Sequence, residues 1–170
     1  MFTQLDSGQT NIDFANNLEK KKDFSILYYL YYYNGGGVAV GDINNDWLPD
    51  IYFTANSKGH NKLYLNKGNF EFEDITNNAG VQGLSDWCTG ATMADVNADG
   101  FLDIYVSTVS NKYGLTGHNE MYINNGNGTF TERGAEAGLN DNAQSWSTAF
   151  EDFDNDGDFD AFIINHDEGN

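Results

Sequence analysis

The sequence predicts an all-β protein, a partial β-propeller of four-stranded antiparallel blades, from three observations. Oxygen-rich nine-residue motifs recur three times, starting at Asp42, Asp95 and Asp152. Each opens into an apolar, β-prone run: Asp50-Ile51-Tyr52-Phe53, Asp103-Ile104-Tyr105-Val106 and Asp160-Ala161-Phe162-Ile163. The copies also keep register. The first two motifs start 53 residues apart, whereas His60/His118, Asn66/Asn124, Phe72/Phe130 and Gly80/Gly138 are each 58 apart, which places five extra residues within 107–117. The second and third motifs start 57 apart, one deletion away from the same register. A period of this size with four strands per unit is that of a propeller blade, which buries its faces only by stacking on neighbours.

Taken in order, residues 1–34 read as N-terminal strands leading into the repeats. A short strand is expected at 12–15, then a loop or helical turn over 16–22. A tyrosine-rich strand packed on both faces is expected at 26–33. Asn34 and Gly35 to Gly37 then break the chain, as a turn or a close backbone approach, because no helix follows to make a phosphate loop. The first blade, 35–86, has strands at 38–43, 51–55, 61–66 and 70–76. The second, 87–143, has them at 91–96, 104–108, 119–124 and 129–133. Asn-Gly pairs such as Asn125-Gly126 are hairpin signals between alternating strands. Residues 144–170 supply a third motif with two strands, a half blade. The expectation is a part of a longer protein that supplies the remaining propeller blades.

Size and composition limit the function. The 170 residues can form one domain with a sizeable core, and 15% aromatic content suits strands. A net charge of −18 argues against nucleic acid and anionic membrane surfaces as partners. No apolar run approaches the length of a membrane span, so no membrane insertion is expected. The start, Met1 to Asp6, is not a signal peptide, so either the protein is not exported or the signal is absent from this sequence. The single cysteine, Cys88, beside Trp87, reads as a buried structural thiol.

The motifs carry the chemistry. The third offers Asp152, Asp154, Asp156 and Asp160 at positions 1, 3, 5 and 9, with Gly157 at 6. The second offers Asp95, Asn97, Asp99 and Asp103, and the first Asp42, Asn44, Asp46 and Asp50. Alternate side chains of a tight loop converge on one centre, where several carboxylates repel unless a cation lies among them. An all-oxygen donor set without His or Cys selects Ca²⁺. An EF-hand is excluded, because its bidentate Glu at position 12 is replaced by Phe53, Val106 and Ile163. The alternative is an Asx-rich turn holding no ion. Candidate catalysts are few. His60 and His118 occupy equivalent loop positions, and Glu71, Glu73, Glu120 and Glu132 alternate with apolar residues as solvent-facing strand positions would.

The stretches Gly35 to Asp46, Asn61-Lys62-Leu63-Tyr64-Leu65-Asn66 and Asn124 to Phe130 resemble the FG-GAP/VCBS repeats of integrin α-type propellers. The resemblance extends to the cartilage-acidic-protein-like branch of exported bacterial proteins, which often carry an ASPIC/UnbV segment not found in this sequence. It implies Ca²⁺ in the loop between the first two strands of each blade, with the carbonyls of Leu48, Phe101 and Asp158 as further ligands. Trp47 stands where the family has Gly, so two to three ions are expected. It further implies an extracellular, cell-surface or periplasmic location and a non-catalytic role in binding a protein or glycan. The alternative is the scaffold of an exported polysaccharide lyase or hydrolase whose catalytic residues lie mostly outside this segment.

Overall fold

The structure is a computed structural model that describes residues 2–18 and 23–166. Ten strands form three antiparallel sheets. The first is a four-stranded meander of β1 (Val38–Gly41), β2 (Asp50–Phe53), β3 (Lys62–Asn66) and β4 (Phe72–Asp74). The second repeats it with β5 (Cys88–Ala94), β6 (Asp103–Thr108), β7 (Glu120–Asn124) and β8 (Phe130–Glu132). The third pairs β9 (Ser145–Glu151) with β10 (Asp160–Asn165). Every motif starting at Asp42, Asp95 or Asp152 thus joins the first two strands of its sheet.

Successive sheets meet through their first strands, and small residues permit it. A side chain at Gly37 would come within 2.7 Å of the Gly90 and Ala91 backbone, and one at Gly90 within 2.7 Å of the Trp146 carbonyl. The glycines around 35–37 therefore serve a close backbone approach. Hydrogen bonds then tie β5 to β9: Thr89 Oγ1 donates to Ser145 O at 2.6 Å, and Thr92 Oγ1 to Thr148 O at 2.6 Å. Between the first and second sheets lies a core of Ile43, Tyr52, Leu63, Val81, Ile104 and Tyr122. Large side chains buried in this way each stabilise the contact by about 1.5–3 kcal/mol. Each sheet is held by what its neighbour covers.

The N-terminal region differs from the expectation. No strand forms at 12–15; among the described residues before β1 the helix or strand present is a single turn, α1 (Ser7–Thr10), capped by Asp6 and Gln9. The segment runs along the first sheet and is held by side chains instead of a backbone ladder. Phe14 stacks on Phe53 at 4.8 Å, Tyr64 Oη donates to Asp13 Oδ1 at 2.8 Å, and Asn16 and Asn56 exchange two hydrogen bonds. The turn expected over 16–22 falls largely outside the described residues.

Residues 26–33 are also not a strand. They form successive turns, with Tyr29 N bonded to Ser25 O, Tyr32 N to Tyr29 O and Asn34 N to Tyr31 O. Tyr29 and Tyr32 join Phe24, Trp87, Val109 and Leu115 in a second buried cluster, while Tyr28, Leu30 and Tyr33 face water. Packing of spaced aromatics against Trp87 overrides β-propensity here. Two single-turn helices, α2 (Thr76–Ala79) and α3 (Gly134–Ala137), follow the fourth strands at equivalent points. Both are too short to show a helical period in the sequence.

Candidate metal centre

Each loop is organised by its first residue. In the third, Asp152 Oδ1 accepts from Asp156 N at 3.1 Å and Oδ2 from Gly157 N at 3.0 Å. The second repeats this, with Asp95 accepting from Asp99 N at 3.0 Å and Gly100 N at 2.9 Å. The first does so with Asp46 N at 3.1 Å and Trp47 N at 2.7 Å on Asp42. To donate there, the sixth residue takes a left-handed backbone: φ is 91° at Gly100, 99° at Gly157 and 70° at Trp47. Trp47 is held in a conformation that disfavours a side chain, and the ring is 92% exposed.

Positions 3 and 5 distinguish the loops. Asn44 Nδ2 donates to Asp46 Oδ2 at 3.0 Å, and Asn97 Nδ2 to Asp99 Oδ2 at 3.0 Å. An amide thus relieves the carboxylate in the first two loops. The third has no amide at position 3, and carboxylate oxygens of Asp152, Asp154 and Asp156 all lie within 4.8 Å of one another. Their neighbour Asp158 is pushed above the usual carboxylate range, chiefly by the charge on Asp156. Such a set fits a hard cation. Leu48 and Asp158 N donate to the position-5 carboxylates at 2.9 and 3.1 Å, as Phe101 N does to Asp99 at 2.9 Å, so the backbone at position 7 is held against the position-5 carboxylate in each loop.

Position 9 has a second task. Asp50, fully buried, accepts from Ile43 N at 3.0 Å and Asn66 N at 2.8 Å, bracing the loop to β3. Asp103 does the same with Val96 N at 3.0 Å and Asn124 N at 2.8 Å. Asp160 accepts from Phe153 N at 3.0 Å. Burial raises the Asp50 and Asp103 carboxyls, and the backbone donors partly offset it. Asn66 and Asn124 close the brace: Asn66 Nδ2 donates to Pro49 O, and Asn124 Nδ2 to Leu102 O and to Ile43 O of the preceding sheet. The 58-residue spacing of these asparagines was the available signal, though spacing alone does not state a role.

Glu120 corrects the reading of four solvent-facing glutamates. Glu71 and Glu73 are exposed, but Glu120 is fully buried, accepting from Leu84 N at 2.9 Å and Tyr122 Oη at 2.5 Å. Glu132 is half-buried and accepts from Met121 N and Gly134 N. Both sit where adjacent elements leave backbone donors unpaired, a condition that alternation within one strand does not reveal. Cys88 is buried, and burial raises its thiol far above the usual value. His60 and His118 lie in the loops before β3 and β7. Among the described residues no helix is long and apolar enough to cross a membrane.

The FG-GAP-like repeat family signature matches residues 42–106 and 109–163. Cartilage acidic protein 1 of Xenopus tropicalis is 42% identical over 73 residues, which are 43% of this chain and 11% of that protein. The mouse and human proteins of the same name are 41% and 40% identical over 73 residues. The chain therefore spans 11% of the length of the curated relatives it matches.

Proposed function

Because the chain belongs to the FG-GAP-like repeat family, we propose that it is a calcium-stabilised, non-catalytic β-propeller segment that presents a binding surface outside the cell. The convergence of Asp152, Asp154 and Asp156 carries this reading. Three carboxylates at that separation repel, and a divalent cation converts the repulsion into a crosslink between the ends of β9 and β10. Ca²⁺ suits the site because the donors are all oxygen and come from a flexible loop. Asp42, Asn44, Asp46 and Asp50 would hold a second ion and Asp95, Asn97, Asp99 and Asp103 a third, with the carbonyls of Leu48, Phe101 and Asp158 completing each set. The partner is a protein or glycan met outside the cell. Further blades of a longer chain would cover Phe159 of the third loop and Phe162 of β10, both exposed.

A thermal melt with and without metal tests the reading. Binding to the native state alone raises stability with the logarithm of free metal. Millimolar Ca²⁺ is expected to raise the Tm over that in chelator, and Mg²⁺ to do so less, since it prefers smaller six-coordinate sites. Identical melts in chelator and calcium would overturn it.

A further inference from the structure

We propose that an aromatic depression at the far end of the first strands binds a neutral saccharide. The inference rests on the reading of this chain as a binding module and names its site and ligand class. Gly36, Thr89 and Trp146 each stand six residues before the first aspartate of a loop. These equivalent positions, at or just before the starts of the first strands of three successive sheets, line one cavity of about 210 Å³ together with Tyr31, Asn34 and Trp87. A second, more open cavity of about 260 Å³ adjoins it, sharing Tyr31 and Trp146 and adding Ile164, Asn165 and His166. Together they fall in the roughly 300–1,000 Å³ range of small-ligand clefts. A seven-residue strand separates Ser145 from Glu151, so the depression lies about 20 Å from the metal loops.

The rings form a corner. Tyr31 meets Trp146 edge-on at 4.2 Å and 87°, and His166 lies 5.9 Å from Tyr31 and 6.1 Å from Trp146 at steep angles to both. Unlike the buried cluster of Phe24, Tyr29 and Tyr32, this corner is open to water: Tyr31 is 36% exposed and Trp146 half-buried. Tyr31 is nevertheless well placed, because Tyr29 and Tyr32 anchor its turn in the core. Fixed aromatic faces beside water suit a ligand with a flat C–H face and a hydroxylated rim. The rim would meet Asn34, whose side chain makes no hydrogen bond among the described residues. Thr89 Oγ1 donates to Ser145 O and keeps a lone pair to accept.

Charge decides between ligand classes. The protein carries −18, yet no Asp, Glu, Lys or Arg is among the described residues lining either cavity. An anionic saccharide would be repelled by the net charge and find no cation to pair with. A metal or polyamine would find its carboxylates in the loops instead. A neutral pyranose is the class that uses what the depression offers.

Calorimetric titration of the full chain tests this with cellotetraose, xylotetraose and mannotetraose as neutral probes, a hyaluronan tetrasaccharide as the anionic one and tetramethylammonium as the cationic one. At least one neutral tetrasaccharide is expected to bind with quenching of tryptophan fluorescence. Tyr31→Ala should weaken binding about tenfold, the loss of one stacked ring. Trp146→Phe should retain most of the affinity that Trp146→Ala loses, and Asn34→Ala should weaken binding without changing the melt. Three results would overturn the proposal: no neutral probe binding at millimolar concentration, binding unchanged in Tyr31→Ala and Asn34→Ala, or tetramethylammonium binding more tightly than every saccharide. Cleavage of a bound tetrasaccharide would sustain the site and overturn the non-catalytic reading. A melt insensitive to calcium beside intact saccharide binding would overturn only the metal reading.

Discussion

The side-chain amide of Asn45 donates to the Gly100 carbonyl across 2.9 Å, joining the first aspartate-rich loop to the second. Asn45 is the fourth residue of its loop and has a left-handed backbone, φ 62°, as do Asn155 in the third loop and Ala98 in the second. Asparagine takes that conformation at less cost than alanine. Asn45→Ala is expected to destabilise by about 1 kcal/mol through the lost bond and the strain. Ala98→Asn is expected to stabilise by a similar amount, about 1 kcal/mol, by relieving the strain. Urea denaturation of both variants checks the pair; a stability change of the same sign in both would refute the account.

Trp47 holds a position where the other loops have glycine, with its N–H on Asp42 Oδ2 at 2.7 Å. Trp47→Gly should relieve about 1 kcal/mol of backbone strain. The gain should appear as a higher urea midpoint in chelator and as tighter Ca²⁺ binding in calorimetry. Weaker calcium binding in the glycine variant would mean that the indole shields the site.

Glu120 accepts from both Leu84 N and Tyr122 Oη. Removing it leaves the buried Tyr122 hydroxyl and the part-buried Leu84 N–H without this acceptor at the contact between the first and second sheets, a cost of about 1–3 kcal/mol in Glu120→Ala. Glu120→Gln keeps one acceptor oxygen and should lose less. Chemical denaturation distinguishes this from a solvent-facing residue, for which both substitutions would stay within about 0.5 kcal/mol.

Asp74 gives a pH signature. Partial burial alone would raise its carboxyl, but the Lys62 ammonium at 2.6 Å and two hydrogen bonds from Thr76 outweigh that and hold it below the ordinary value of 3.8. A depressed folded-state pKa contributes stability that is present above 3.8 and lost as pH falls through the folded value. The pair is one third exposed, so its contribution is under about 1 kcal/mol. Asp74→Asn should therefore lower the urea midpoint slightly at pH 7, and the gap to the parent should close in acid. A gap that widens on acidification would contradict the sign.

The repeat and its strands were legible because both leave local marks. Alternation brackets β2, β3, β6 and β7 to within a residue or two. The fourth strand begins at Phe72 and not at residue 70 because Phe70 itself adopts a left-handed backbone, φ 63°, where the second repeat has Gly128. A phenylalanine there reads as β-prone until the turn before it is seen. The aromatic run at 26–33 misleads for the opposite reason. Its residues favour a strand, but turns bring Tyr29 and Tyr32 into the cluster with Trp87, a distant contact that no local pattern records.

Donor chemistry belongs to the residues themselves. Oxygen donors at positions 1, 3 and 5 of a tight loop point inward, so the convergence of Asp152, Asp154 and Asp156 follows from spacing and side-chain type alone. The brace made by the position-9 aspartates does not. What the rest of the chain supplies is contact between segments far apart in sequence. Asn124 braces the loop of the preceding sheet through Ile43 O, and Glu120 satisfies a loop 36 residues away. Tyr31 reaches Trp146 only because the first strands of three sheets lie backbone to backbone at Gly37 and Gly90. Periodicity reports which face of a strand is apolar, a local property of alternating side chains. Which distant donor or ring that face meets depends on how the sheets stack, and stacking is settled by close packing of the whole.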